Sequence, residues 1–199
     1  MKIVTENLGK RFNREWVFRN LNYEFNSGNC YAITGPNGSG KSTLMQVLWG
    51  QMQPSTGSVN YSLPDQSEIF KSVAIATPYM DLIEEFTLEE MIQFHFKFKK
   101  CRLPIEEILQ RTELESSRLK PISTFSSGMR QRLKLALAFY SECELLFLDE
   151  PCTNLDKKSI EWYHSQLSQV SSQVTAFVAS NQEIEYPSSS VKIDILAYK

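Results

Sequence analysis

Histidine is nearly absent from this chain. His95 and His164 are the only two among 199 residues, and neither lies in a cluster of metal ligands. Zinc chemistry and histidine-activated nucleophiles therefore lack their usual side chains. Cysteine is scarce as well. Cys30, Cys101, Cys143 and Cys152 lie far apart, and no pair has C-x-x-C spacing. Disulfide frameworks belong to small secreted chains, and zinc sites need closer ligand pairs, so four reduced thiols are expected. Excess charge of one sign is missing: 21 Lys and Arg stand against 23 Asp and Glu, a net charge of −2. A nucleic-acid footprint shows as clustered basic charge, so no nucleic-acid partner is expected.

Long apolar runs are missing too. Leu145 to Leu148 and Leu135 to Tyr140 are among the longest. A membrane-spanning helix needs about 20 predominantly apolar residues, so no crossing is expected. The first residues, MKIVTENLGKRFNREW, are charged throughout and contain no signal-peptide stretch. The reading is a cytoplasmic protein that acts at a membrane only through a partner. No internal repeat or low-complexity linker occurs, although Ser188-Ser189-Ser190 marks a loop. What remains is an ordinary globular composition, 42% hydrophobic and 22% charged, long enough to bury a core without staples.

Met1 to Val4 and Trp16 to Phe25 read as strands, rich in aromatic and β-branched residues. Asn26 to Asn29 is a turn, and Cys30 to Thr34 a short buried strand leading into Gly35. Lys41 to Gly50 turns helical, with Leu44, Val47 and Leu48 on one face. Pro54 to Gly57 is another turn, and Val73 to Thr77 a second buried strand. Leu88 to Lys100 has Phe94, Phe96 and Phe98 at strand spacing, but the surrounding Glu and Lys favour a helix. Ile105 to Leu109 and Gly128 to Tyr140 are helical, then Leu145 to Leu148 is a strand. Ser159 to Val170 is a helix, and Val174 to Ala179 and Val191 to Tyr198 are strands. Strands alternate with helices at both ends, and a helical block interrupts them. That pattern implies an α/β fold with a parallel core and a helical insertion near 80–140.

Gly35-Pro36-Asn37-Gly38-Ser39-Gly40-Lys41-Ser42-Thr43 fits G-x-x-x-x-G-K-[ST] between a strand and a helix. Glycines let successive N–H groups point inward as an anion nest, and the helix adds its positive end. Lys41 is expected on the β- and γ-phosphates, and the Ser42 hydroxyl on Mg²⁺. Leu145 to Leu148 then runs into Asp149-Glu150-Pro151. A buried strand puts its C-terminal end in the crevice where α/β folds bind ligands. Asp149 there can hold Mg²⁺, and Glu150 can orient or deprotonate the attacking water.

Phe125-Ser126-Ser127-Gly128-Met129 precedes a basic helical run. In this order with the two motifs above, the chain resembles the ATP-binding subunits of ATP-binding cassette (ABC) transporters over nearly its whole length. These five residues stand where the family has its LSGGQ signature, and Thr153-Asn154-Leu155-Asp156 stands as its D-loop. The resemblance implies a P-loop NTPase core with an N-terminal antiparallel β subdomain and an inserted α-helical subdomain. Residues 1–78 and 141–199 would form the core, and 79–140 the helical part, within one domain. It also implies two copies sandwiching two ATP molecules head to tail. Ser126, Ser127, Gly128 and Asp156 of one copy would then meet the phosphate loop of the other. Phe12 falls where an aromatic ring stacks on adenine, with Trp16 a nearby competitor. The cofactors implied are ATP and Mg, and the further partner an integral membrane permease subunit. That partner would hold the chain at the inner face of the cell membrane.

Three departures bear on activity. Tyr79 follows the second buried strand where the family has Gln, and a phenol does not replace a carboxamide. Asp81, Glu84 and Glu85 are candidate substitutes. Asn181 stands where the family has the γ-phosphate His; its amide still donates but never becomes a cation. Met129 replaces the signature Gln. With Lys41, Ser42, Asp149 and Glu150 intact, the expectation is a slow ATPase in which Asn181 serves as γ-phosphate sensor. Tyr79 to Met91 is the expected docking segment for a permease. The alternative is a soluble ABC-type ATPase of DNA repair, chromosome structure or translation, whose usual coiled-coil insertions and basic linkers do not occur here. A P-loop kinase or a nucleotide sensor fits the signature segment and Glu150 poorly.

Overall fold

The computed structural model describes residues 1–63, 68–171 and 174–199. The elements run β1 (Ile3–Phe12), β2 (Glu15–Phe25), β3 (Cys30–Thr34), α1 (Lys41–Leu48), β4 (Thr56–Tyr61), α2 (Ile69–Ser72) and β5 (Val73–Ala76). They continue with α3 (Leu88–Phe98), α4 (Ile105–Arg111), α5 (Ser127–Phe139), β6 (Leu145–Asp149), α6 (Lys157–Ser171), β7 (Thr175–Ala179) and β8 (Val191–Asp194). Five strands form a parallel sheet in the order β5-β6-β7-β3-β8. The other three form an antiparallel sheet, β2-β1-β4. Among the described residues no helix is long and apolar enough to cross a membrane.

The central strands read as continuous apolar runs because both faces of a parallel sheet are covered. Leu146 and Leu148 of β6 and Ala176 and Val178 of β7 pack to one side, with α5 and α6. Leu145, Phe147, Phe177 and Ala179 pack to the other, with α1 and the antiparallel sheet. On that second face three rings stand in register across neighbouring strands. Phe147 and Phe177 stack at 4.6 Å and 9°, and Tyr31 follows at 5.4 Å and 22°. Trp49, just after α1, meets Phe147 edge-on at 5.2 Å. This ladder seats α1, and with it the loop that opens α1.

Between β5 and β6 the chain forms α3, α4 and α5. Helix beats strand over Phe94, Phe96 and Phe98 because Thr87 and Glu90 close a capping box. Each side chain accepts the other's N–H, at 3.2 and 2.8 Å. Arg118 then clasps Glu89 and Glu106, at 2.6 and 2.8 Å.

Three strand expectations change. β1 runs on to Phe12 through polar residues, with register shifts after Thr5 and Asn7 at φ +48. Thr56 and Gly57, expected in a turn, begin β4, which pairs with β1. The last strand ends at Asp194 rather than Tyr198. The Asp194 carboxylate accepts the Leu196 N–H at 2.9 Å and starts a 3₁₀ turn over Ile195–Tyr198.

His95 on α3 is half-buried, with Nε2 at 3.0 Å from the Ser141 Oγ. Ser141 commits its own proton to the Leu137 carbonyl at 2.7 Å, so the imidazole donates from Nε2. Burial, with Lys99 nearby, lowers its pKa to about 4. From pH 6.5 down to about 4 the unfolded chain therefore binds a proton that the folded chain refuses. Stability falls across that window, by on the order of 2–3 kcal/mol at its acid end. Urea unfolding from pH 7 to 4 should show this loss, and His95→Gln should flatten it.

Candidate functional site

The loop from Gly35 to Gly40 joins β3 to α1 and is held by its neighbours. Gly35 and Gly40 adopt φ +140 and +107, which side chains rarely allow. A Cβ on Gly40 would lie 2.2 Å from Val17 Cγ1, and one on Gly35 2.8 Å from both Ile195 and Ser39. Ser39 N–H closes the turn onto the Pro36 carbonyl at 3.1 Å. Lys41 is 5% exposed, and its Nζ donates to the Gly35 and Pro36 carbonyls at 2.9 and 3.2 Å. The α1 N-terminus has no side-chain cap and no acid in its first turn, which leaves its N–H groups for an anion.

β6 ends beside this loop. Asp149 is 3% exposed, and its Oδ1 has no hydrogen-bond partner among the described residues. Burial pushes its pKa up; the Ser42 hydroxyl and Lys41 oppose the rise, and Glu150 adds to it. A buried carboxylate oxygen without a donor suits a hard cation, with the Ser42 hydroxyl as the second oxygen ligand. No group of three His, Cys, Asp or Glu among the described residues could hold a metal alone. Such an ion needs further oxygens, which a bound ligand would have to supply.

Glu150 sits at φ +45, and its N–H donates to the Ala179 carbonyl at 2.9 Å. A left-handed residue other than Gly or Asn costs about 1–2 kcal/mol, and here the hydrogen bond to β7 holds it. β7 leads to Asn181, whose Nδ2 donates to the Asn37 side chain in the loop at 3.3 Å. The fold thus gathers Gly35 to Thr43, Asp149, Glu150 and Asn181 at the C-terminal ends of β3, β6 and β7. Phe12 and Trp16 line a cleft of about 590 Å³ together with Gly38. Trp16 packs on Gly9 and lies under Arg11 at 5.5 Å, while Phe12, 47% exposed, carries Lys10 Nζ over its ring at 5.3 Å.

Ser126, Ser127, Gly128 and Asp156 lie elsewhere, around a separate cleft of about 430 Å³. Ser126 caps α5 by accepting the Met129 N–H at 3.2 Å. Gly128 touches the backbone of Asn154: an added Cβ would lie 2.9 Å from that carbonyl. Asp156 accepts the Ser159 N–H at 2.8 Å at the start of α6, and the Ser159 hydroxyl, then its N–H, lower the Asp156 pKa.

Of the substitutes proposed for the missing Gln, Glu84 is held by Arg130 at 2.7 Å. Tyr79 is 84% exposed, yet it lines a cleft of about 440 Å³ with Asp149, Thr77 and Gln46. Gln46 escaped the sequence reading, although it stands one helical turn after Ser42 and i+4 spacing puts both on one face. Arg132 and Glu185 were also missed. Arg132 is 6% exposed and donates to Thr112, Glu113 and Ser159 beneath the second cleft. Neither carries a local sequence signal.

A family model described as ABC transporter matches residues 18–153. The chain is 31% identical over 165 residues to an uncharacterized ABC transporter ATP-binding protein, YcbN, of Bacillus subtilis (strain 168), covering 80% of this chain and 54% of that protein. It is 31% identical over 163 residues to the Nod factor export ATP-binding protein I of Sinorhizobium fredii, covering 77% of this chain and 48% of that one. The chain thus spans about half the length of these two relatives. A solved Pyrococcus furiosus ABC transporter (ATP-binding protein) shares the fold, with TM-score 0.86, 19% identity, and 100% and 99% of the two chains covered.

Gly40→Ala combines a left-handed φ with a 2.2 Å overlap on Val17. It should destabilise the chain by about 1–3 kcal/mol and weaken nucleotide binding. Urea unfolding and titration with a fluorescent ADP analogue measure the two effects.

Proposed function

The chain belongs to the ABC transporter family of ATP-binding proteins, and from that premise we propose that it is a Mg-dependent ATPase driving a separate membrane permease. One observation carries the reading: a glycine loop with its Lys41 sits beside a buried Asp149 oxygen that has no partner. Lys41 would leave the loop carbonyls for the β- and γ-phosphate oxygens, a charge-assisted exchange. The Gly38 to Thr43 amides hold the phosphates, Phe12 stacks on the adenine, and Ser42 and Asp149 hold the ion. When bound, Mg²⁺ neutralises charge on the phosphates. Glu150 accepts the proton of the attacking water, and Asn181 donates to the γ-phosphate from its place beside Asn37.

Hydrolysis is slow, because Tyr79, Asn181 and Met129 stand where more capable polar groups are expected. Gly38 of the glycine loop and the Ser126 to Gly128 segment line different clefts. A single copy therefore leaves each half of the site open, which supports an ATP-bound homodimer of head-to-tail copies. The cassette works as one domain, with 79–140 as a helical subdomain. The permease would dock near Tyr79 to Met91 and hold the chain at the inner face of the cell membrane. The Nod factor export relative supports transport in this sense.

Glu150→Gln should cut steady-state phosphate release by about 10²–10⁴-fold. Equal background rates in both proteins would refute the ATPase reading. Asn181→Ala should lower turnover by about 10-fold, as expected for one lost hydrogen bond to a charged group. Unchanged turnover and nucleotide affinity would remove its role. Co-purification of an integral membrane protein with the tagged chain tests the permease partner.

A further inference from the structure

Glu185 lies in the 3₁₀ turn after β7 and is 1% exposed. Few carboxylates are so buried without a cation, and here none of the salt bridges among the described residues involves it. Its Oε1 accepts the backbone N–H of Cys152 at 3.1 Å. Its Oε2 has no hydrogen-bond partner among the described residues. The Glu185 carbonyl accepts the hydroxyl of Tyr163, a fully buried side chain of α6, at 2.7 Å. Burial raises the Glu185 pKa, with the Ser180 hydroxyl and the Cys152 N–H opposing and Glu150 and Asp149 adding to the rise.

The contact joins two loops that matter. Cys152 is two residues after Glu150, in the turn that holds Glu150 at φ +45. Glu185 is four residues after Asn181. The other hydrogen bonds of that turn are Glu150 N–H to Ala179, Thr153 N–H to Glu150, Leu155 N–H to Cys152, and Gln131 Nε2 to the Pro151 carbonyl at 2.9 Å. A hydrophobic residue would fill the space under Cys152 without an unpaired oxygen. The carboxyl instead supplies an acceptor for the Cys152 N–H, in the middle of the turn.

We propose that Glu185 is a positioning residue: its carboxyl holds the Glu150–Thr153 turn against the β7 end, so that Glu150 faces the crevice floor beside Asp149. This rests on Glu150 acting as the base in ATP hydrolysis. Glu185→Met fills the same buried space without the acceptor, whereas Glu185→Gln keeps an oxygen for the Cys152 N–H. With MgATP, Glu185→Met should lower kcat by about 10–100-fold, as small misplacements do, while KM stays within about 3-fold. Glu185→Gln should recover kcat to within about 3-fold of wild type. In the Glu150→Gln background, Glu185→Met should leave the residual rate unchanged, because its effect runs through Glu150. An unchanged kcat in Glu185→Met, or the same loss in both backgrounds, overturns the proposal. A lower melting temperature with unchanged kcat assigns Glu185 a structural role only, which also overturns it. A wild-type chain that binds ATP but releases no phosphate refutes the ATPase reading instead. Hydrogen exchange at the Cys152 amide then decides: faster exchange in Glu185→Met supports the hold on the turn, and equal exchange removes it.

Discussion

A carboxylate oxygen without a donor ends the strand whose five residues are all buried. Left alone, the Asp149 oxygen opposes folding, because an unpaired buried acceptor costs about 1–3 kcal/mol, more when charged. The surroundings lessen that cost rather than remove it. The Ser42 hydroxyl and Lys41 favour the charged form, and both come from the segment that opens α1. The crevice thus keeps one acceptor unmet, and the chain gains from whatever partners that oxygen.

Such a site survives because the sheet beneath it is overdetermined. β6 and β7 bury every residue, on two faces, with separate cores above and below. The stacked rings of Tyr31, Phe177 and Phe147 lock three strands in register, and Trp49 ties α1 to them. Dense packing of this kind resists small displacement. The strained backbone at Glu150 and the unpaired oxygen at Asp149 are local exceptions that such a frame can carry.

The parts of the fold written as periodic apolar pattern were legible in the sequence. β3 has the bounds that its composition implies, and β6 differs only by including Asp149. The shape of the loop from Gly35 to Gly40 was legible because glycine identity dictates the backbone there. β1 beyond Val4 was not, since TENLGKRF alternates poorly and the strand shifts register as it passes Asn7. β4 was hidden by Gly57, which marks a turn in most contexts but here sits against the backbone of Glu6 and Asn7. The overrun of β8 came from reading Ile195–Tyr198 by hydrophobicity, when the Asp194 side chain decides the turn. Glu185 and Arg132 could not be read at all. Their roles depend on which distant backbone groups the fold brings within 3.2 Å of them.

Helix α5 shows how the two clefts of one chain are physically linked. Its N-terminus bears Ser126 to Gly128, with Gly128 against the Asn154 carbonyl. One turn on, Gln131 donates to Pro151, next to Glu150, and a turn further Lys134 donates to the Pro78 carbonyl, next to Tyr79, both at 2.9 Å. Leu133, Leu135, Ala136 and Leu137 bury its core face completely or nearly so, so the helix moves as a rod or not at all. The helix that Ser126 caps therefore also holds the turn behind Glu150, through Gln131. The same rod reaches the exposed segment at Tyr79 through Lys134. The N-cap at Ser126, the turn behind Glu150 and the backbone at Pro78 are thus all held by one buried helix, whose packing fixes their spacing.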